Sequence, residues 1–194
     1  MLWLLFMLAA QAQESPAFFN QRGEEHFRSG KIAESIADFD KAIALAPRIA
    51  PQHWQRGISL YYANRFADGR KQFELHQTVN PSDVENAVWH FLCVARAEGV
   101  DKARAALIPI PEDTRVPMMQ IHALFGGKGA VDDVLKPARG REALFYAHLY
   151  LGLYYEALGN VALAKKHIKL AAHDYSVDHY MGDVARVHEK LRGW

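Results

Sequence analysis

The sequence predicts an all-α protein, a solenoid of antiparallel helix pairs that is closed at its C-terminal end by a capping helix. An internal repeat is the main reason, because Gln21-Arg22-Gly23 recurs further along the chain as Gln55-Arg56-Gly57. Pro47 and Pro81 are separated by the same number of residues as Gly23 and Gly57. Each proline closes its unit, because proline cannot continue the preceding helix. No stretch alternates apolar and polar residues for long enough to predict a strand instead.

Composition limits the function classes. The chain has 194 residues, 50% of them hydrophobic, which is enough for one domain with a core. Its formal net charge is +1 and its longest basic cluster, 165–169, is short. This argues against a nucleic-acid binder, which needs a clustered basic face to neutralise phosphates. Cys93 is the only cysteine, so no intramolecular disulfide is expected, and its apolar neighbours predict a buried core residue.

Residues 1–12 have the pattern of a signal peptide. The run 2–10 contains nine apolar residues, fewer than the about 20 that span a bilayer. Ala10-Gln11-Ala12 is a good cleavage site, although no Lys or Arg precedes the run. We therefore expect cleavage near Ala12 and an extracytoplasmic location, periplasmic or secreted. The alternative is an N-terminal core helix.

Each unit is predicted to contain two helices that approach closely at a glycine, Gly23 or Gly57, with a downstream aromatic residue packed across the pair. The turn between the two helices falls at Gly30 or Asn64. In a third copy near the C-terminus, Gly152 corresponds to Gly23 and the turn is Leu158-Gly159-Asn160. Residues 13–194 then form a single domain. Its expected parts are repeats over 17–50 and 51–82, a divergent repeat over 83–108, a short-helix insert over 109–140, a repeat over 141–176 and a capping helix over 177–192.

Local signals give helix bounds in the less regular part. The expected helices are Val84–Glu98, with Ser82 as N-cap and Gly99 as stop, then Asp101–Leu107, Val116–Phe125 and Ala130–Leu135. Ser176 is the expected N-cap of the capping helix, whose apolar stripe is Tyr180, Val184, Val187 and Leu191.

The repeat period and these spacings resemble the tetratricopeptide repeat (TPR) family, whose unit is about 34 residues long. The resemblance implies a right-handed α-solenoid whose concave face is lined by the first helix of each pair. The order of the units, carried by 57–95 and 145–187, resembles the NlpI-type TPR proteins of the bacterial envelope. That likeness implies an adaptor without catalysis of its own, with an envelope hydrolase or protease as partner, and it leaves a homodimer open. The chain departs from those proteins because it has no lipobox cysteine.

The repeat frame predicts a partner-binding groove rich in aromatic side chains, which are frequent binding anchors. Packing between neighbouring helices is the alternative role, and for Tyr61 the two are about equally favoured. The groove residues are Asn20, Glu24, Phe27 and Arg28 from the first unit, Trp54, Ile58, Tyr61 and Tyr62 from the second, and Tyr146, Leu149, Leu153 and Glu156 from the third.

Candidate chemistry is sparse. Gly126-Gly127-Lys128-Gly129 lacks the spacing, the preceding strand and the Ser or Thr of a phosphate loop, so a turn is expected there. Glu24 and Arg28 are spaced as a helical ion pair. In the cluster 173–183, His179 and Asp183 are four residues apart and form the candidate metal pair, but no third ligand is evident. We expect no enzyme, no metal and no cofactor; a metal-binding or enzyme-accessory protein and a purely self-associating scaffold are the alternatives.

Overall fold

The computed structural model describes residues 15–194, which contain helices and no strand, as predicted. The predicted signal peptide lies outside the described residues. A 3-10 helix, Pro47–Gln52, precedes the helix that begins at Trp54, and a π-helical turn, Leu170–Asp174, follows the helix that ends at Lys169. The α-helices are α1 (Pro16–Arg28), α2 (Ile32–Leu45), α3 (Trp54–Tyr62), α4 (Phe66–Gln77), α5 (Val84–Glu98), α6 (Val100–Ala105), α7 (Met118–Phe125), α8 (Val131–Leu135), α9 (Gly140–Ala157), α10 (Val161–Lys169) and α11 (Tyr180–Arg192).

Glycines hold three of the helix pairs at close range, as the sequence predicted for the first two. In α1·α2, α3·α4 and α9·α10, a Cβ atom added to the glycine of the first helix would overlap a buried side chain of the second. Contacts shorter than 3.0 Å essentially never occur at real Cβ atoms, so any larger residue at these positions would force the facing side chain to shift. The pairs, which have identical sequence spacing, are Gly23 with Phe39 (2.8 Å), Gly57 with Phe73 (2.7 Å) and Gly152 with Ile168 (2.7 Å).

The turns inside these three pairs share a left-handed backbone. Gly30 and Gly159 have φ of 78° and 77°, and Asn64 takes the equivalent place with φ of 58°. Asparagine enters this region more readily than most residues because its side chain hydrogen-bonds locally. The turns expected at Gly30 and Asn64 are therefore present.

The Asn64 turn gives a local stability prediction. We expect Asn64→Val to lower the free energy of unfolding by about 1–2 kcal/mol, because a β-branched residue is strained at positive φ. Asn64→Gly, the matched control, keeps the left-handed turn and should leave stability within about 0.5 kcal/mol. Urea unfolding of the three proteins measures the difference; equal losses for both variants would contradict the backbone explanation.

Several helix ends differ from the predicted ones. Helix α5 runs from Val84 to Glu98 and stops at Gly99, as predicted, but its N-cap is Asp83, whose carboxylate accepts from the Glu85 N–H at 3.1 Å. The helix predicted over Val116–Phe125 begins at Met118, since a residue before proline disfavours the helical region. The neighbouring helices are shorter than predicted, at Val100–Ala105 and Val131–Leu135.

Helix α11 also begins later than predicted. Its N-cap is His179, whose Nδ1 accepts from the Met181 N–H at 3.3 Å, so Ser176 is not the cap. Leu191, expected in the apolar stripe, is exposed, whereas Met181, Ala185 and His188 are buried. The helix packs on α10 and its π-helical turn, and also on α1. Among the described residues, no helix combines the length and apolar character that crossing a bilayer requires.

Candidate partner-binding surface

The predicted groove residues are mostly covered. Asn20, Glu24 and Trp54 are half-buried and Arg28 is exposed. The other predicted anchors are buried; they are Phe27, Ile58, Tyr61, Tyr62, Tyr146, Leu149 and Leu153. An open aromatic groove is therefore not what the described residues form, and their role in binding a partner stays a prediction.

Helix α11 covers the aromatic side chains of α1 and α3. The Tyr180 ring stacks on Phe27, with centroids 5.1 Å apart, and meets the edge of Trp54 at 5.1 Å. Phe27 in turn packs on Tyr62 at 5.8 Å. Aromatic pairs at these distances are stabilising beyond the area that they bury. We call the set Phe27, Arg28, Trp54, Tyr62 and Glu156 the α11-contact surface.

Polar groups fix the C-terminal part of α11. Tyr62 Oη lies 2.9 Å from Nδ1 of His188, and the Arg192 guanidinium donates to Glu156, which also accepts from Tyr61 Oη at 3.4 Å. Burial lowers the pKa of His188 to about 4. Burial raises the pKa of Glu156, but His188 and Arg192 outweigh that effect and lower it. At neutral pH this end of the surface therefore holds an ionised carboxylate against a guanidinium.

A second ion pair fixes the N-terminal part of α11. Arg28 Nε donates to Asp183 Oδ2 at 2.7 Å, and Arg28 also reaches Glu24 at 3.3 Å, which confirms the predicted helical pair. Asn20 donates to the other oxygen of Glu24 at 2.9 Å. The hydrogen bond to Asp183 is the main reason why the pKa of Arg28 is raised. Asn20 binds Glu24 and Glu24 binds Arg28, so both residues are linked to α11 through Arg28.

The remaining predicted residues do not join this set. Ile58, Leu149 and Leu153 are completely buried and belong to the core. The Tyr146 ring lies near His179, with centroids 6.1 Å apart, and the Arg115 guanidinium lies 5.9 Å from its centroid. The predicted groove therefore divides into the α11-contact surface and core packing.

The candidate metal pair is not assembled. His179 caps α11 and its ring lies against Phe145 and Tyr146, whereas Asp183 accepts from Arg28 and Arg186. Within residues 15–194, no group of three or more His, Cys, Asp or Glu side chains is placed to hold a metal ion. The glycine-rich segment 126–129 forms the turn between α7 and α8, as expected. Cys93 is buried, and burial raises the pKa of its thiol.

A charged cluster that the sequence did not reveal surrounds Arg115. Its guanidinium contacts Asp83, Glu85 and Asp113 at 2.6–2.7 Å. Tyr150 Oη donates to Glu85 at 2.5 Å, and a neighbouring cavity of about 310 Å³ is lined in part by Arg115 and Tyr146. Burial raises the pKa of Glu85 to about 7, and Asp83 adds to the shift, against the opposing effect of Arg115. The charges and hydrogen bonds of these groups are paired with one another. The cluster therefore holds the insert, through Asp113 and Arg115, against α5 and α9.

Glu85 gives a pH-dependent prediction. Its pKa is higher in the folded protein than in the unfolded chain, so its contribution is present below about pH 4.5 and is lost as the pH rises through about 7. We expect the stability of Glu85→Gln, relative to the parent protein, to improve by up to about 3 kcal/mol over that range. Denaturant unfolding at several pH values measures this. A constant difference would contradict it, and Glu34→Gln, at an exposed carboxylate, is the control.

Comparison with known proteins identifies no family: neither models of protein families nor curated proteins match the chain.

What the sequence did not reveal is that its own last helix lies on the predicted binding residues. The local pattern contained a signal, since Tyr180 and Asp183 are three residues apart and therefore neighbours on a helix surface. It did not identify their partners, because Tyr62 and His188 are 126 residues apart in the chain.

Proposed function

We propose that the protein is a non-catalytic helical scaffold of the TPR type that binds a protein or peptide partner on its α11-contact surface. The observation that carries this proposal is that the surface already accommodates an amphipathic helix. Aromatic side chains form its centre, and charged side chains of opposite sign, Arg28 and Glu156, lie at its two ends. This is the arrangement by which grooves hold helical ligands.

The TPR assignment is supported by the repeated geometry of the helix pairs. The same sequence spacing joins glycine and bulky residue in three pairs, and left-handed turns occur at Gly30, Asn64 and Gly159. Repeating units of this kind stack as antiparallel pairs in a right-handed solenoid.

The proposed setting is extracytoplasmic, on the basis of the apolar run and cleavage site within residues 1–12. An adaptor there would bring an envelope hydrolase or protease to its place of action, as the likeness to NlpI-type proteins implies. A self-associating scaffold that uses the same surface is the rival function.

Site-specific photo-crosslinking tests the proposal. A photoreactive amino acid at Trp54, on the α11-contact surface, should capture a discrete partner from an envelope extract. The same amino acid at Leu75, which is exposed on α4, should not capture it. Identical products from both positions, or none, would contradict the proposed function. A cross-linked dimer of the chain itself would favour the self-associating scaffold.

A further inference from the structure

Helix α11 contacts side chains of α1, α3 and α9 as a separate ligand helix would. These contacts are made by Tyr180, Asp183, His188 and Arg192, which follow one another along the length of the helix. They reach side chains far away in sequence, and Asp183 and Arg28 are separated by 155 residues. The aromatic anchor at one end and the arginine at the other are the side chains most often found as binding anchors.

The charges of helix and surface are complementary in order. Asp183 meets Arg28 near the start of α11, and Arg192 meets Glu156 near its end. Lys190 Nζ adds a hydrogen bond to the Ser29 carbonyl at 3.0 Å, beyond the end of α1. A cation there is favourable because the last carbonyls of a helix carry partial negative charge. The pattern fixes the direction in which a helix lies on this surface.

Helix α11 is an imperfect occupant. The buried Nε2 of His188 makes no hydrogen bond to any described residue and lies 3.6 Å from Glu156 Oε2. Unsatisfied buried polar atoms lose the hydrogen bonds that they would make in water.

The joint before α11 depends on one glycine. A Cβ atom on Gly182 would lie 2.1 Å from the carbonyl oxygen of Val177, so no side chain fits without movement of the backbone. The segment between the π-helical turn and α11 covers only residues 175–179. A change at Gly182 therefore disturbs the attachment of α11 without altering a residue of the α11-contact surface.

We propose that α11 occupies the place of a helix of the partner. The partner helix is amphipathic and has an aromatic residue, an acidic residue three positions later and an arginine twelve positions after the aromatic residue. The partner helix replaces α11 on the α11-contact surface, so α11 limits binding until it is displaced. This inference rests on the proposed function, because it names the partner class and the regulation of the same surface.

A labelled synthetic peptide with the sequence of residues 177–194 is the probe for this exchange. Fluorescence anisotropy measures its affinity for the full chain, for the full-length variant Gly182→Ala and for the control Leu191→Ala, which changes an exposed residue of α11. We expect Gly182→Ala to bind the peptide at least about tenfold more tightly than the other two, because a competent surface is populated more often. The peptide with Arg192→Glu should lose at least about tenfold in affinity, since it would meet Glu156.

Other outcomes decide against the proposal. Equal peptide affinities for the parent chain and Gly182→Ala would overturn it. If circular dichroism shows that Gly182→Ala does not fold, Arg192→Ala takes its place, because it frees only the end of α11. Its affinity for the peptide is then compared with that of the parent chain. Concentration-dependent dimers of the variants in light scattering would mean that a second copy supplies the helix, and would also overturn it.

The experiments distinguish a failure of the proposed function from a failure of the proposed role of α11. Peptide exchange without a cross-linked partner at Trp54 would leave this inference standing and contradict the proposed function. A partner that cross-links equally well in the parent chain and in Gly182→Ala, without peptide exchange, would leave the function standing and overturn the role of α11.

Discussion

Acidification from about pH 7.5 to about pH 4.5 is expected to remove several kcal/mol of the free energy of unfolding. Burial is the main cause that lowers the pKa of His53, His167 and His188 to about 4 each. Their unfolded-state pKa is 6.5, so the unfolded chain binds protons first as the pH falls. The stabilisation is complete above about pH 6.5 and declines toward about pH 4, by up to about 3 kcal/mol for each residue.

Two further observations refine this expectation. His148 and His167 share a hydrogen bond between their Nδ1 atoms at 2.8 Å, which requires one ring to donate and the other, neutral ring to accept. Protonation of both rings would break it, and the pKa of His148 is also lowered, mainly by burial. Glu85 acts in the opposite direction, since its raised pKa favours the folded state in acid. Five of the ten histidines have lowered pKa values, so we expect the net effect of acid to be destabilising.

Chemical denaturation at closely spaced pH values measures the loss. His167→Asn should unfold more easily at neutral pH but show a smaller decrease on acidification, because one buried titrating group is gone. His173→Gln, at an exposed histidine, is the matched control and should keep the full pH dependence. Constant stability of the parent protein over this range would show that buried imidazoles do not control its response to acid.

A valine at Gly57 is the substitution with the largest expected effect on packing. Its side chain would enter the space of the Phe73 ring, which is buried and already 2.7 Å from the place of a Cβ atom. We expect Gly57→Val to cost about 3 kcal/mol, at the upper end of the range for overpacked cores. Gly57→Ala should cost less, because alanine regains part of the loss through its higher helix propensity.

A second substitution, at Phe73, distinguishes overlap with the Phe73 ring from a general intolerance of α3 to substitution. Phe73→Leu removes ring atoms and should recover part of the stability of Gly57→Val, although Phe73→Leu alone destabilises the parent protein. Thermal unfolding of the four proteins gives the coupling between the two sites. Strictly additive effects would indicate that residue 57 and the ring do not interact.

The predicted parts of the fold were those specified by residues close together in sequence. Gly23 and Gly57, the turns at Gly30 and Asn64, and the stop of α5 at Gly99 depend on short distances and on backbone freedom. The N-cap of α5 was misplaced by one residue because Ser82 and Asp83 are both good caps. Such choices depend on backbone angles that composition does not determine.

The candidate site was harder to predict, because its decisive contacts are distant in sequence. Phe27, Trp54 and Tyr62 were predicted to line one face, and the structure places Phe27 against Tyr62 and both Phe27 and Trp54 against Tyr180. Nothing in their spacing predicts that Tyr180 and His188 cover them, and nothing local predicts that Asp183 pairs with Arg28. An amphipathic stripe shows that a helix buries one side, but it does not identify the surface that receives it.

The distance in sequence between α11 and its contact surface has a consequence for the order of folding. Phe27, Trp54 and Tyr62 have all been synthesised long before Tyr180, and the Tyr62–His188 contact closes a loop of 126 residues. Contacts of such long range form late, since the loop entropy must be overcome first. A growing chain therefore presents these aromatic rings to its surroundings until its last residues emerge, and a chaperone that shields them would act during that interval.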